Sequence, residues 1–107
     1  MIVQSKKVWL ADQFVPAAIE MHGGKIVDIL PYGSRNVDDD YGDKRIVPGF
    51  LDIHCHGAYG FDTNDAYEDG LRYWAEHIAS EGVTGFLATT ITQSEEALTN
   101  AVANVAN

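Results

Sequence analysis

The first 30 residues mix β-forming and polar side chains, a pattern typical of strands that bury one face. In the run "AAIEMH", the side chains of Ala17, Ile19 and Met21 fall on one face of an extended chain. The run "KIVDIL" follows directly after Gly23 and Gly24. A Gly-Gly pair between two such runs favours a tight hairpin turn, because both residues tolerate positive φ. The pattern therefore predicts a small antiparallel sheet.

Residues 31–45 have the composition of a loop, rich in Gly, Asp, Pro and Asn. The three consecutive aspartates, Asp38 to Asp40, suggest a calcium loop at first sight. They lack the alternate-residue ligand spacing and the distal glutamate of such a loop. We therefore expect a solvated connector here.

The hydrophobic pattern changes at residue 46, where apolar residues become nearly continuous. The run "RIVPGFLDIHCH" predicts a strand buried on both faces of a parallel sheet, and "VTGFLATTI" predicts a second one. Between them, apolar residues at helical spacing predict an amphipathic helix, and its stripe consists of Tyr67, Leu71, Trp74 and Ile78. Gly82 stands where a glycine would end that helix.

A second helix is predicted after the second buried strand. Thr92 and Glu95 have capping-box spacing at its start. Its apolar stripe consists of Leu98, Ala101, Val102 and Val105. The order strand, helix, strand, helix indicates βαβ units with parallel strands.

The predicted fold class is therefore α/β, with two parts: strands of a small sheet over residues 1–45, and two β/α units over residues 46–107. Two strands cannot close a parallel sheet, and a (β/α)₈ barrel needs about 250 residues. We expect the chain to be the beginning of a larger, incomplete architecture.

Composition narrows the function classes. Sixteen acidic against seven basic residues give a formal charge of -9, which argues against a nucleic-acid partner. The single cysteine cannot form an internal disulfide, and the amino-terminal residues have no signal-peptide pattern. No apolar run approaches the length of about 20 residues that crosses a bilayer. The expected location is the cytoplasm, with no membrane partner.

The candidate chemistry is a pair of histidines at the end of the first buried strand. Positions i and i+2 share one face of a strand, so His54 and His56 project to the same side and Cys55 to the other. Two imidazoles placed in this way can bind one metal ion together. Asp52, on the same face, is expected to orient an imidazole by a hydrogen bond. We interpret Cys55 as a small buried apolar residue.

Other residues with side chains capable of chemistry are interpreted as structural. His22 and His77 are expected to be surface or structural histidines. Asp62 or Asp65 is expected to cap the following helix. The hydroxyls of Thr89 and Thr90, at the end of the second buried strand, are interpreted either as support for the histidine site or as simple core packing.

Three stretches carry a family resemblance. "VPGFLDIHCHG" resembles the signature that ends the first barrel strand in the amidohydrolase superfamily. "HGAYGFDTNDA" and "EGVTGFLATTIT" are similar to N-acetylglucosamine-6-phosphate deacetylases. Dihydroorotases and hydantoinases usually have a basic residue soon after the second histidine, where this chain has Gly57 and a glycine-containing loop.

The resemblance implies a two-domain enzyme, a (β/α)₈ barrel plus a small β-sandwich, of which this chain is the amino-terminal part. Its substrate would be a phosphorylated amino sugar, N-acetylglucosamine 6-phosphate, and its products glucosamine 6-phosphate and acetate. His54 and His56 map onto the metal-binding pair of the family, with zinc as the expected ion and iron, cobalt or manganese as alternatives. The full-length protein would be a homodimer.

The resemblance also implies what these 107 residues lack. In the family the remaining metal ligands and the catalytic aspartate come from later strands, so we expect no deacetylase activity from this chain alone. Two alternatives stay open. One is another amidohydrolase, acting on a cyclic amide or an aminopurine, and the other is a truncated α/β module without enzymatic function.

Overall fold

The computed structural model describes residues 1–107, which form two compact units, Met1–Pro48 and Gly49–Asn107. The first unit contains five strands: β1 (Ile2–Leu10), β2 (Gln13–His22), β3 (Lys25–Pro31), β4 (Asp39–Asp40) and β5 (Arg45–Ile46). The second contains β6 (Phe50–Cys55), β7 (Gly57–Ala58), β8 (Phe61–Asp62), α1 (Glu68–Ile78), β9 (Val83–Ala88) and α2 (Glu95–Ala106). Two short 3₁₀ turns, Thr63–Asp65 and Ala79–Glu81, flank α1.

The first unit is a single sheet in the order β3-β2-β1-β4, with β5 also paired to β1. The predicted hairpin is confirmed, because β2 and β3 pair antiparallel across Gly23 and Gly24, both at positive φ. Both faces of β1 and β2 contain buried side chains, since the paired residues Gln4 and Ala18 are buried as well as the pair Val3 and Ile19. The core consists of Val3, Val8, Ala17 and Ile19, with Leu10, Met21 and Ile46 packed against it.

The expectation of a solvated connector over residues 31–45 is wrong in part. Strands β4 and β5 both pair parallel with β1. Asp38 Oδ2 accepts a hydrogen bond from the backbone N–H of Ile2 at 2.6 Å. Asp40 accepts from the Gln4 side chain at 2.9 Å and from the Gly42 N–H at 2.8 Å. The aspartates therefore hold the segment against β1, because their short carboxylates satisfy donors along that strand.

In the second unit, β6 and β9 pair parallel with α1 between them, so the predicted strand-helix-strand order is confirmed. Trp74 and Ile78 of α1 are buried with Phe61, and Cys55 and Phe86 of the two strands pack against this cluster. Together with the first sheet, this arrangement confirms a mixed α/β chain. Closure into a barrel and a sandwich remain predictions.

Burial of the first parallel strand on both faces is wrong for this chain. The side chains of Leu51 and Ile53 are 73% and 76% exposed, and Leu87 of β9 is 61% exposed. Within the second unit the apolar stripe of α1 covers only the side of the strands that bears Cys55 and Phe86. The continuous apolar run therefore has one covered face and several uncovered side chains.

The helix boundaries differ from the predicted ones by small amounts. Tyr67 is the N-cap residue of α1 and is partly exposed, whereas Trp74 is fully buried as predicted. Gly82 has a φ of 85° and ends the 3₁₀ turn that continues α1, which confirms its predicted role. Helix α2 is capped by Ser94 rather than Thr92, because the Ser94 hydroxyl accepts from the Ala97 N–H at 3.3 Å.

The stripe predicted for α2 is only partly covered. Ala101 is fully buried, but Val102 and Val105 are exposed. Neither helix has the length and apolar character needed to cross a membrane.

Candidate metal site

The two candidate ligands lie side by side. His54 is on β6 and His56 directly follows it. Their ring centroids are 5.0 Å apart and the ring planes are nearly perpendicular, at 84°. The i and i+2 spacing in an extended segment favours this proximity. The pairing of β6 with β9 is irregular between Asp52 and Cys55, so regular alternation alone does not set it.

The ring of His56 is held from one side. Its Nδ1 lies 2.9 Å from the backbone carbonyl oxygen of Thr89, just after β9. A carbonyl oxygen only accepts, so Nδ1 carries a proton, and in the neutral ring Nε2 then keeps its lone pair. This is the arrangement by which proteins usually orient a metal-binding imidazole.

The backbone at His56 is also anchored. Its carbonyl oxygen accepts from the Thr63 N–H at 2.7 Å and from the Thr63 hydroxyl at 2.9 Å. The Thr89 N–H donates to the Cys55 carbonyl at 2.9 Å, which fixes the two strand ends to each other. The position of His56 thus depends on the ends of two strands and on a buried threonine.

The side chain of His54 is exposed, whereas that of His56 is half-buried. The expected hydrogen bond from Asp52 to an imidazole is not formed. Instead, Asp52 Oδ1 accepts from the backbone N–H of His54 at 3.1 Å. A short acidic side chain readily bonds the backbone two residues ahead, and here that local bond is preferred to the ring.

The Cys55 side chain lies on the side predicted for it, although the pairing of β6 with β9 has a register irregularity between Asp52 and Cys55 that interrupts the strand alternation. It packs against the Phe61, Trp74 and Ile78 cluster, away from the histidines. Burial raises the pKa of its thiol above the ordinary value. A thiol kept protonated by burial is a poor metal ligand, since the thiolate is the binding form.

The donor set of the site is therefore a pair of imidazoles. No group of three or more His, Cys, Asp or Glu side chains in the 107 residues is arranged to hold a metal ion. Zinc sites use three or four protein ligands. The two rings fit two positions of such a site and do not complete it.

The loop that follows His56 is organised by Asp62, whose capping role the sequence predicted, and by Asn64, whose role it did not. Asp62 caps the 3₁₀ turn Thr63–Asp65 in a capping box with Asp65, so capping is confirmed, although for this turn rather than for α1. Asn64 forms hydrogen bonds with the backbone of Ile91. The Thr89 hydroxyl donates to the Leu87 carbonyl, so the supporting group for His56 is the Thr89 backbone instead. Single-turn 3₁₀ elements have no periodic signal, which is why the role of Asn64 was missed.

The other two histidines lie outside this site. His22 is exposed at the end of β2. His77 stacks on Tyr73 with ring centroids 3.9 Å apart, and its Nδ1 lies 2.7 Å from the Tyr73 carbonyl oxygen. Nearby, the Tyr59 hydroxyl donates to Glu81, and this hydrogen bond raises the pKa of Tyr59. Both histidines are structural or surface residues, as predicted.

The sequence of the chain is similar to those of known deacetylases. No protein-family model matches the chain. An N-acetylglucosamine-6-phosphate deacetylase from Lysinibacillus sphaericus is 43% identical over 69% of the chain and 20% of its own length. The Bacillus subtilis deacetylase is 45% identical over 58% of the chain and 16% of its own length. The Vibrio furnissii deacetylase is 36% identical over 94% of the chain and 25% of its own length. The chain thus spans at most a quarter of these relatives.

Solved structures agree on the fold. An N-acetyl-D-glucosamine-6-phosphate deacetylase from Mycobacterium smegmatis superposes on 99% of the chain with a TM-score of 0.89 and 24% identity, and the match covers 31% of that protein. The enzyme from Pasteurella multocida matches over 99% of the chain and 30% of its own, with a TM-score of 0.86 and 25% identity.

The relatives that match this chain in sequence are hydrolytic deacetylases, and the solved structures that match it share its mixed α/β fold. Within that class, the resemblance to N-acetylglucosamine-6-phosphate deacetylases that the sequence indicates is confirmed, for the part of those enzymes that the chain spans.

Proposed function

We propose that this chain provides His54 and His56 as two metal ligands of an active site that hydrolyses the acetamido group of N-acetylglucosamine 6-phosphate. The products are glucosamine 6-phosphate and acetate. The observation that carries the proposal is the adjacent imidazole pair, with ring centroids 5.0 Å apart and His56 held through Nδ1. The deacetylase relatives support the reaction, as does a Mycobacterium smegmatis deacetylase structure in complex with N-acetyl-D-glucosamine-6-phosphate.

The role of each histidine follows from its contacts. His56 presents Nε2, because Nδ1 is committed to the Thr89 carbonyl. His54 presents its exposed ring beside it. A divalent cation held between them would polarise the amide carbonyl and lower the pKa of water. We propose zinc, with iron, cobalt or manganese as alternatives, since imidazole suits all of these ions.

The larger architecture is part of the same proposal. Residues 1–45 would belong to a small β-sandwich and residues 46–107 to the start of a (β/α)₈ barrel. We also propose that the full-length protein is a homodimer and is located in the cytoplasm. The parallel pairing of β6 and β9 around α1 supports the barrel, because it is the repeating unit of that fold.

We expect the 107-residue chain to release no acetate by itself, because it brings only two metal ligands together. Acetate release by the purified chain, at a rate above that of a chain lacking both His54 and His56, would contradict this expectation.

The test of the function is a chimera in which this chain replaces the matching segment of the Bacillus subtilis deacetylase. The chimera should release acetate from N-acetylglucosamine 6-phosphate. Loss of partners that only orient ligands costs 10–100-fold, so His54→Ala or His56→Ala should lower kcat/KM by at least about 100-fold. The matched controls are His22→Ala and His77→Ala, which should leave kcat/KM within about twofold.

The alternative amidohydrolase activities are separated by substrate. The same chimera is offered dihydroorotate, hydantoin and adenine beside the phosphorylated amino sugar. Faster turnover of a cyclic amide or an aminopurine would refute the deacetylase assignment. Equal activity of all four histidine variants on the amino sugar would refute the assignment of the ligands.

A further inference from the structure

The side chain of Asn64 ties the loop after β6 to the segment after β9. Its Nδ2 donates to the Ile91 carbonyl at 3.1 Å, and its Oδ1 accepts from the Ile91 N–H at 3.0 Å. Both backbone groups of one residue are thus satisfied by a single amide. A primary amide carries a donor and an acceptor side by side on one planar group, and the other amide residue, Gln, is longer by one methylene.

This amide is part of a hydrogen-bond network that surrounds His56. Thr63, next to Asn64 in the chain, donates twice to the His56 carbonyl. Ile91 lies two residues beyond Thr89, whose carbonyl accepts from the His56 ring. The network therefore connects the His56 backbone to Ile91 through the 3₁₀ turn. It also connects Ile91 to the His56 imidazole through the backbone of Thr89.

The turn that carries Asn64 is rigidly built. The Asp62 carboxylate accepts from the Asn64 N–H at 2.8 Å, and the Asp65 carboxylate accepts from the Asp62 N–H at 2.8 Å. Thr63 is fully buried. An amide on such a turn is placed before any ligand arrives, so it can fix the distance between the two strand ends.

We propose that Asn64 is a positioning residue, which holds the Thr89 carbonyl against His56 and so keeps the Nε2 lone pair of His56 available to a metal ion. The part that concerns metal rests on the proposed function. The part that concerns the imidazole tautomer does not, and it is tested separately.

The first experiment measures the tautomer of His56 in the 107-residue chain without metal. Magic-angle-spinning NMR of ¹⁵N-histidine-labelled protein is recorded at about pH 8.5, two units above the ordinary histidine pKa near 6.5. The unaltered chain should show His56 protonated at Nδ1 alone. Asn64→Ala should show a mixture of both tautomers, while the matched control Asn100→Ala, on α2, should not.

Asn64→Asp is the second variant, in case removal of the amide disturbs folding. It keeps an acceptor for the Ile91 N–H and loses the donor to the Ile91 carbonyl, so it should show a smaller admixture of the Nε2–H tautomer. Emission from the fully buried Trp74 verifies that each variant is folded. A folded Asn64 variant that keeps the pure Nδ1–H tautomer would overturn the proposal.

The second experiment titrates the same proteins with Co²⁺ and follows its visible absorption. Asn64→Ala should raise the Kd for Co²⁺ by about tenfold, the low end of the effect of groups that orient a ligand. A Kd that does not change would overturn the metal part of the proposal. Binding unaffected by His54→Ala and His56→Ala would instead refute the proposed function, and the tautomer result would still decide the role of Asn64.

Discussion

Gly57 shows how closely the chain is packed beside the candidate ligand His56. It has a φ of 147°, and a Cβ atom at this position would overlap the carbonyl oxygen of Phe61 on the paired strand β8. Gly60, in the same loop, also has a positive φ, of 81°, but a Cβ there would meet no atom within 4 Å. The family resemblance marked Gly57 as a difference from related enzymes. The structure adds the steric reason for a glycine.

We therefore predict different costs for alanine at these two positions. Gly57→Ala should lower the free energy of unfolding by about 3 kcal/mol, because a strained backbone and an overlap with a carbonyl act together. Gly60→Ala should cost only about 1 kcal/mol, the cost of a left-handed backbone with a side chain. Urea denaturation followed by far-UV circular dichroism measures both. Equal costs would show that the space around Gly57 is more open than described.

At the scale of elements, the short strand β4 is held by side-chain hydrogen bonds as well as by its backbone pairing with β1. Asp40 accepts hydrogen bonds from Gly42, Gln4 and Tyr32. These bonds, with that from the Gly42 N–H the largest cause, lower the pKa of the Asp40 carboxyl below its ordinary value of 3.8. A carboxylate whose pKa is lowered on folding stabilises the fold above its unfolded pKa, and this contribution is lost as the pH falls through the folded pKa.

The predicted consequence is a pH-dependent effect of Asp40→Asn. The unaltered chain should be more stable than the variant at neutral pH, and the difference should narrow as the pH falls below about 4. Far-UV circular dichroism follows urea unfolding across this range.

The matched control is Asp43→Asn, whose carboxylate forms an exposed ion pair with Lys6 at 3.6 Å. Exposed pairs contribute little, so this variant should resemble the unaltered chain at every pH. A difference between the Asp40→Asn variant and the unaltered chain that stays constant down to about pH 2.5 would exclude Asp40 as the source.

At the scale of the whole molecule, the second unit has exposed apolar side chains on both of its parallel strands. Its two-stranded sheet leaves one edge of β6 and one edge of β9 unpaired. Large apolar side chains on these strands are exposed, namely Phe50, Leu51, Ile53 and Leu87. Free edges and apolar patches both favour association between chains.

We therefore predict that the purified chain associates as its concentration rises, which light scattering would detect. The double variant Ile53→Lys and Leu87→Lys should shift this association to at least about tenfold higher concentration, because charge opposes burial of these side chains. Ile26→Lys, at a similarly exposed position in the first unit, is the control and should have little effect. A monodisperse monomer of the unaltered chain would contradict the prediction and weaken the case for an incomplete barrel.

Local chemistry explains what the sequence alone was able to predict. The Gly23-Gly24 hairpin, the helix stripe through Trp74 and the parallel order of strands follow from the φ range of glycine and from residue periodicity. The proximity of His54 and His56 is favoured by their i and i+2 spacing in an extended segment. These features depend on neighbours within a few positions, so a linear pattern contains them.

Tertiary structure decided the features that join distant positions. The Thr89 carbonyl lies 33 residues from His56, and Asn64 lies 27 residues from Ile91. The Asp38 and Asp40 bonds to β1 span 36 residues. No periodicity records which backbone groups such side chains will meet, because these partners come together only when the chain folds. The sequence therefore determined the elements and the pair of candidate ligands, whereas packing determined how His56 is oriented and which apolar side chains remain uncovered.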